Sequence, residues 1–127
     1  IHSCTGEENA CVVFSYSNQD TFAVIIIDGH FYVQFGSNLY KTSIPVQVSI
    51  WIQISIIYQR TTGNLIFHYL SREQSVNAHL IISQHVFNVG GTLVIGQWQE
   101  SLSGIGIPPG GTFVGDVNRI LVWFQFT

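Results

Sequence analysis

Charged residues are scarce in this chain of 127 residues: four Lys and Arg and seven Asp and Glu make up 9% of it. Ordinary soluble domains carry about 25%. A surface that follows nucleic-acid phosphates needs clustered cations, and the four here are scattered, at Lys41, Arg60, Arg72 and Arg119. We therefore expect no nucleic-acid partner. The remaining surface is either uncharged and polar or faces other subunits of a larger assembly.

Long apolar runs are also missing. The longest, such as "AVIII" at residues 23–27, fall well short of the roughly 18 residues that a membrane span requires. We expect no membrane span in this chain. No signal peptide is visible at Ile1, which predicts a mature or excised start. The length predicts one domain over residues 1–127, forming part of a longer chain.

Only two cysteines are present, Cys4 and Cys11, in the segment "CTGEENAC". A bridge between them would close a short loop, contribute about 2.5 kcal/mol on the loop-entropy model and indicate an oxidising compartment. The spacing also allows two free thiols, or two bridges to segments outside this chain. We take the local disulfide as the prediction.

Alternation of apolar and polar residues dominates the chain, and no stretch has a sustained helical period. Asp28–Gly29 lies between two apolar runs and predicts a tight hairpin turn. Many short runs of β-branched and aromatic residues, separated by turn signals, predict an antiparallel β-sandwich. The expected strands cover residues 11–16, 22–27, 30–35, 39–43, 48–58, 65–70, 75–83, 92–97 and 117–126, with Ile50, Ile52, Ile54, Ile56, Leu121 and Trp123 in the core or on sheet faces.

Catalytic patterns are not apparent. No predicted strand carries two acidic residues on one face, as a sandwich glycosidase would require. No G-x-S-x-G motif occurs, although Ser, His and Asp are all present. The five histidines form no H-x-H pair, and His68 alternates with Ile66 and Leu70 as a packing residue would. We therefore expect no enzymatic activity and no zinc site.

The aromatic residues mostly lie in strand runs, where they are expected to pack. Trp98 differs because it stands where a strand gives way to a long Gly- and Pro-rich loop. A loop of this length in a compact domain usually carries a function. Trp98 either stacks on a ligand, is buried in an interface, or folds back to cover the sheet edge.

From Cys11 onward, the order of segments resembles the pentraxins and the wider laminin-G-like group. "VVFSYSNQD" at 12–20 is similar to the strand and loop that open the family's inner sheet. "GGTLVIGQWQES" at 90–101, followed by "TFVGDVNRILVW" at 112–123, is similar to the segments around its calcium loop. The resemblance covers about nine-tenths of the chain and implies a jelly-roll sandwich.

The segment at 50–69, "IWIQISIIYQRTTGNLIFHY", is similar to the strand–turn–strand unit that carries the family's sequence signature, but the signature residues have changed. Aligned on Gly63, its His is Gln53, its Cys is Ser55 and its Trp is Tyr58, while its Ser or Thr is Ile57. The family's cross-sheet disulfide therefore cannot form here. Counterparts of the opening strands and of the closing helix and strands are also missing, so a longer chain or neighbouring subunits are expected to cover the exposed edges.

The resemblance implies a degenerate calcium site. Asp20 matches the family's early ligand, but Thr21 replaces the Asn beside it and Trp98 replaces the first loop Glu. Gln99 offers a backbone carbonyl and Glu100 matches the next acidic ligand, giving one weak site from Asp20, Gln99 and Glu100. Because calcium prefers six to eight oxygens with several carboxylates, we expect no strongly bound calcium and no other cofactor.

These observations predict an extracellular, non-catalytic binding or adhesion module of a larger protein or oligomer. Its expected partner is a protein or a glycan, with residues 98–100 as the expected interface. One alternative is a soluble calcium-dependent lectin of pentraxin type that recognises sugar or phosphate groups. Another is a self-assembling structural subunit whose low-charge faces are interfaces.

Overall fold

The structure is a computed structural model that describes residues 3–4, 10–18, 20–59, 61–82, 90–97, 113–119 and 121. These residues form strands, turns and irregular segments without a helix. The strands are β1 (Ser3–Cys4), β2 (Cys11–Asn18), β3 (Asp20–Ile27), β4 (His30–Phe35), β5 (Asn38–Pro45), β6 (Ile52–Gln59), β7 (Asn64–Ser71), β8 (Ser75–Ile81), β9 (Thr92–Ile95) and β10 (Phe113–Val114).

Two larger antiparallel sheets make up the fold. The first has five strands in the order β5-β4-β3-β2-β9, the second has three in the order β6-β7-β8, and β1 pairs with β10 in a short ribbon. Every strand pairing is antiparallel. The predicted antiparallel β-sandwich is therefore confirmed, while the jelly-roll arrangement remains a prediction.

The core lies between the two larger sheets. Phe31 of β4 packs on Phe67 and Tyr69 of β7, with ring centroids 5.4 and 5.9 Å apart. Phe35 of β4 packs on Tyr58 of β6 at 5.1 Å. The even-numbered residues of β6 predicted for the core, Ile52, Ile54 and Ile56, pack against this cluster. Alternation along each strand places these apolar side chains on one face, so the pattern is that of a sandwich interior.

Strand β3 is buried on both faces, which explains its unbroken apolar run. Val24 and Ile26 point into the core between the sheets. Ala23 and Ile25 lie on the opposite face, in a second buried cluster with Ala10 and Val12. When both faces of a central strand are buried, its sequence is a continuous apolar run rather than an alternation of apolar and polar residues.

The tight turn predicted at Asp28–Gly29 is present between β3 and β4. Asp28 and Gly29 have φ angles of 47° and 79°, as a tight β3–β4 hairpin requires.

Strand β5 contains a bulge that the sequence does not predict. At the bulge, Thr42 Oγ1 donates to the Phe31 carbonyl at 2.8 Å and accepts from the Ile44 amide at 3.2 Å. The Thr42 hydroxyl thus satisfies backbone groups where the ladder is interrupted.

Several expectations are wrong in detail. The strand predicted over residues 48–58 begins only at Ile52, because Ser49 has a φ of 63°, which interrupts extended backbone. Trp51, expected to pack, lies just before β6 and is 66% exposed. Leu121, expected in the core or on a sheet face, is also 66% exposed and lies outside the strands, and residues 117–119 are irregular rather than extended. Trp123 lies outside the described residues.

Candidate functional site

The residues predicted for the calcium site can be located only in part. Trp98, Gln99 and Glu100 lie outside the described residues. Asp20 opens β3, where its backbone pairs with Asn18 across the β2–β3 hairpin. Within the described residues, no group of three or more His, Cys, Asp or Glu side chains is close enough to hold a metal ion.

Asp20 and Gly96, the residue four positions before Glu100, lie towards opposite ends of β2. Strand β9 is antiparallel to β2, and the Gly96 amide after β9 donates to the Val13 carbonyl at 2.8 Å. Val13 and Asn18 are separated by about 16 Å of strand. Four residues from Gly96 to Glu100 span at most about 14 Å when fully extended. Asp20 and Glu100 could therefore bind one ion only if the chain reversed direction after Gln97 and their side chains spanned the distance that the backbone does not cover.

The base of the long loop is tied to the sheet by three contacts. The Phe113 amide donates to the Gly96 carbonyl at 3.2 Å, joining the two ends of the loop. Phe113 pairs with Cys4 in the β1–β10 ribbon. The predicted disulfide then links Cys4 to Cys11 at the start of β2, with 5.3 Å between their Cα atoms. The predicted local disulfide is confirmed, and it anchors this ribbon to the large sheet.

A different site is exposed at the beginning of β6. A shallow groove of about 420 Å³ opens there, and its lining consists of Trp51, Ile52, Gln53, Leu70, Ser71 and Arg72. Leu70 is exposed as well as Trp51. The Arg72 guanidinium makes no ion pair or hydrogen bond with any other residue that the structure describes. The groove therefore combines an aromatic face, an amide, a hydroxyl and an uncompensated positive charge.

A hydrogen-bond network holds the polar wall of the groove. Gln47 Oε1 accepts from the Tyr69 hydroxyl at 2.5 Å and from Ser71 Oγ at 3.0 Å, and Gln47 Nε2 donates to Glu73 Oε2 at 2.6 Å. Ser71 Oγ also accepts from the amides of Glu73 and Gln74 in the β7–β8 turn. Burial raises the pKa of the Tyr69 hydroxyl, so it stays a neutral donor to Gln47.

The face of the three-stranded sheet that points away from the core carries no Lys, Arg, Asp or Glu on its strands. Paired residues share a face in an antiparallel sheet, and this outer face comprises Gln53, Ser55, Ile57, Gln59, Asn64, Ile66, His68, Leu70, Ser75, Asn77, His79 and Ile81. His68 Nε2 lies 3.0 Å from Ser75 Oγ. These positions include no aspartate or glutamate, so no carboxylate on this face can accept a hydrogen bond from Nδ1 of His68.

Sequence reasoning missed the groove because Trp51 fits the alternating pattern of a strand. The sequence did carry a signal in Ser49, two residues before Trp51, because serine is favoured in turns that interrupt strands.

No protein family, no curated protein and no solved structure matches this chain. What the fold and its sites define is a class: an all-β sandwich with one disulfide and an exposed aromatic groove. Among the described residues, no helix has the length and apolarity to cross a membrane.

Proposed function

We propose that this chain is a non-catalytic recognition module of an extracellular protein, with a fold of pentraxin/laminin-G-like type, and that it binds a glycan through the Trp51 groove. The disulfide between Cys4 and Cys11 fits an oxidising compartment. The observation that carries the proposal is the exposure of Trp51 beside Arg72 in one groove.

The chemistry of the groove suits a sugar ring. An indole offers a flat apolar face for the C–H side of a pyranose, and its burial by a ligand recovers part of the roughly 1.5–3 kcal/mol that a large exposed apolar side chain forgoes. The Gln53 amide and the Arg72 guanidinium border the same groove and can hydrogen-bond to hydroxyls. The unpaired charge of Arg72 favours a sugar that carries a carboxylate or sulfate.

The size of the groove favours a small ligand group over a protein surface. Six residues line it, far fewer than the roughly 20–30 residues that each side of a protein–protein interface contributes. A protein–protein interface buries about 800 Å² on each partner. A terminal sugar of a glycan chain matches this groove, and the rest of the glycan extends into solvent.

The His68–Ser75 contact does not favour a hydrolase over a binding module. A serine nucleophile needs a base that is itself oriented by a third group, and the outer face supplies no carboxylate for that role. His68 and Ser75 also lie on an open sheet face rather than in a cleft. Catalysis is favoured by sites that exclude water.

Glycan binding is tested on a panel of immobilised neutral, carboxylated and sulfated oligosaccharides. We expect retention on an acidic glycan, a loss of at least tenfold in affinity for Trp51→Ala, and no effect of a calcium chelator. Val48→Ala is the matched control, because Val48 is exposed near the groove but does not line it. Retention that a chelator abolishes would support the calcium-dependent lectin instead, and no retention on any glycan would overturn the proposal.

Self-assembly is the second candidate function, and the outer face favours it. Ile57 and Ile81 are exposed there, and the strand residues of this face include no Lys, Arg, Asp or Glu; charge depletion is typical of interface cores. Sedimentation velocity over a hundredfold concentration range tests this function. Association that Ile57→Lys abolishes and Val48→Lys leaves intact would support it, and a monomer throughout would contradict it.

A further inference from the structure

The preference of the Trp51 groove for an acidic sugar depends on the charge of Arg72, and the next residue in the chain is acidic. Arg72 is the one charged residue among the described residues that line the groove. Glu73 follows it in the β7–β8 turn. A guanidinium and a carboxylate readily form a hydrogen-bonded ion pair, and a pair between these neighbours would neutralise the groove. The charge of Arg72 is therefore available to a ligand only if Glu73 is held elsewhere.

The Glu73 carboxylate is directed towards Gln47. Gln47 Nε2 donates to Glu73 Oε2 at 2.6 Å, and Glu73 forms no ion pair with any residue that the structure describes. Burial is the main cause of the raised pKa of the Tyr69 hydroxyl, and the nearby Glu73 carboxylate adds to it. The carboxylate thus lies beside Gln47 and Tyr69 rather than against the Arg72 guanidinium.

Two further hydrogen bonds fix the orientation of the Gln47 amide group. Its Oε1 accepts from the Tyr69 hydroxyl at 2.5 Å and from Ser71 Oγ at 3.0 Å. These two donors use both lone pairs of Oε1, so the amide presents its Nε2 donor to the turn. Tyr69 is fully buried and Ser71 ends β7, so both donors have fixed positions. A donor that is already held in place loses little conformational entropy when it binds Glu73.

The backbone of the turn brings Glu73 to this donor. Ser71 Oγ accepts from the amides of Glu73 and Gln74, each at 3.2 Å, and the Ser71 amide donates to the Gln74 carbonyl at 2.9 Å. The Ser71 hydroxyl therefore contacts both the Gln47 side chain and the backbone of Glu73. Arg72 lies between Ser71 and Glu73 in the chain, and its side chain lines the groove.

We infer that Gln47 determines the anion affinity of the groove, and with it the preference for acidic sugars, by holding Glu73 away from Arg72. The inference rests on the proposed glycan function and names the residue that leaves Arg72 available to the acidic group of the sugar. Gln47 is a positioning residue, because it does not line the groove and acts through Glu73. In Gln47→Leu, the carboxylate is released, pairs with Arg72 and removes the preference for acidic over neutral sugars.

Trp51 is positioned by contacts that do not involve the Gln47 side chain. The Val46 amide donates to the Gly29 carbonyl at 2.8 Å, and Val46 packs against the core. At the other end of the segment, Ile52 pairs with Ser71 in the β6–β7 ladder. The segment that carries Trp51 is therefore anchored on both sides, and a substitution at Gln47 changes the charge of the groove without removing its aromatic face.

Sulfate is the probe, because it reports on the charge of Arg72 without a glycan. It is titrated into the isotope-labelled chain at low, chloride-balanced ionic strength, and NMR follows the Arg72 Nε–H signal, assigned by its loss in Arg72→Gln. We expect a saturable shift in the wild type and binding about fivefold weaker in Gln47→Leu, the upper end for an exposed ion pair. We expect wild-type affinity again in Gln47→Leu/Glu73→Gln. A merely structural role of Gln47 would not be rescued by removing the Glu73 carboxylate.

Val48→Ala is the matched control, because Val48 is exposed next to Gln47 but does not line the groove. It is expected to bind sulfate as the wild type does. Equal affinity of the wild type and folded Gln47→Leu would overturn the inference, as would a double variant that stays weak or a wild type without a saturable Arg72 shift. If Gln47→Leu does not fold, Gln47→Leu/Tyr69→Phe replaces it, because this variant also removes the hydroxyl that loses its acceptor.

The glycan panel distinguishes failure of this inference from failure of the proposed function. If the wild type binds an acidic glycan through Trp51 and Gln47→Leu keeps the same preference over neutral glycans, the inference fails and the proposed function stands. If the wild type binds no glycan but sulfate gives the expected pattern in the variants, the proposed function fails and the control of Arg72 by Gln47 stands.

Discussion

The Phe113 amide donates a hydrogen bond to the Gly96 carbonyl across 3.2 Å, so the two residues that flank the Gly- and Pro-rich segment are in contact. Next to this contact, Cys4 pairs with Phe113 and is bridged to Cys11. The disulfide therefore anchors both β1 and, through β1, the β10 strand that Phe113 opens. Two features that are far apart in the sequence share one attachment to the large sheet.

The first prediction concerns this disulfide. Cys4→Ala/Cys11→Ala is expected to lower the free energy of unfolding by about 2.5 kcal/mol, the loop-entropy value for a bridge this short. Equilibrium urea denaturation measures the loss, and alanine avoids burying a hydroxyl at Cys11, which is almost fully buried. Non-reducing peptide mapping should recover Cys4 linked to Cys11. Alkylation of either thiol in the folded, unreduced protein would contradict the prediction.

The second prediction concerns Tyr69 and alkaline pH. Burial raises the pKa of the Tyr69 hydroxyl above the ordinary tyrosine value of 10.0. The unfolded chain ionises at the ordinary value, so this contribution to stability is complete below about pH 10 and decreases as the pH rises towards the folded-state pKa. Tyr69→Phe removes this decrease and, at pH 7, costs about 1 kcal/mol for the lost hydrogen bond to Gln47.

Denaturation of the wild type and Tyr69→Phe at pH 7, 9 and 11 checks this expectation. The difference between the two proteins should shrink between pH 9 and 11. Tyr32→Phe is the control, because Tyr32 is only partly buried and lies on the opposite face of the first sheet. An unchanged difference at pH 11 would show that Tyr69 does not drive the alkaline loss of stability.

The third prediction concerns Gly91. A Cβ atom at this position would overlap the Ser17 carbonyl oxygen and lie 2.7 Å from Cζ of the Tyr16 ring. The Gly91 amide also donates to the Tyr16 hydroxyl at 3.0 Å, which fixes this close approach. Gly91→Ala is expected to destabilise the fold by about 1–3 kcal/mol through overpacking.

Thermal unfolding compares Gly91→Ala with Thr92→Ala, whose side chain is exposed next to it in β9. We expect the melting temperature to fall by several degrees for the glycine substitution and to change little for the threonine substitution. Equal melting temperatures for the two variants would mean that the contact with Ser17 and Tyr16 relaxes at no cost.

The fourth prediction is weak calcium binding. Asp20 and Glu100 supply too few carboxylates for the multi-oxygen shell that a strong calcium site needs. With 1 mM calcium and a dissociation constant of about 1 mM, binding stabilises the fold by about 0.4 kcal/mol. A chelator should therefore lower the melting temperature by only about 1.5 °C.

Calorimetric titration tests the same point directly, with Asp20→Asn as the matched variant. Micromolar affinity in the wild type that Asp20→Asn removes would overturn the expectation and favour the calcium-dependent lectin. A large fall in melting temperature on adding a chelator would have the same meaning.

Local patterns predicted most of the sheet elements because strand faces and tight turns depend on near neighbours. The Asp28–Gly29 hairpin and β4 follow from a turn residue pair flanked by apolar runs. The local disulfide also follows from the short spacing of Cys4 and Cys11. The boundaries of β6 were misjudged because a single residue, Ser49, left extended backbone within an otherwise alternating run.

The sequence by itself determined the all-β class, the short disulfide and the scarcity of charge, because these depend on residue types and on spacings of a few positions. Only the tertiary structure decided that Trp51 is exposed beside Arg72 and that Leu93 and Ile95, on the core-facing side of β9, are about half exposed. Alternation assigns a residue to a face of a strand but does not say how many strands lie across from it. That number depends on how the sheets are ordered, and so on contacts between residues far apart in the chain.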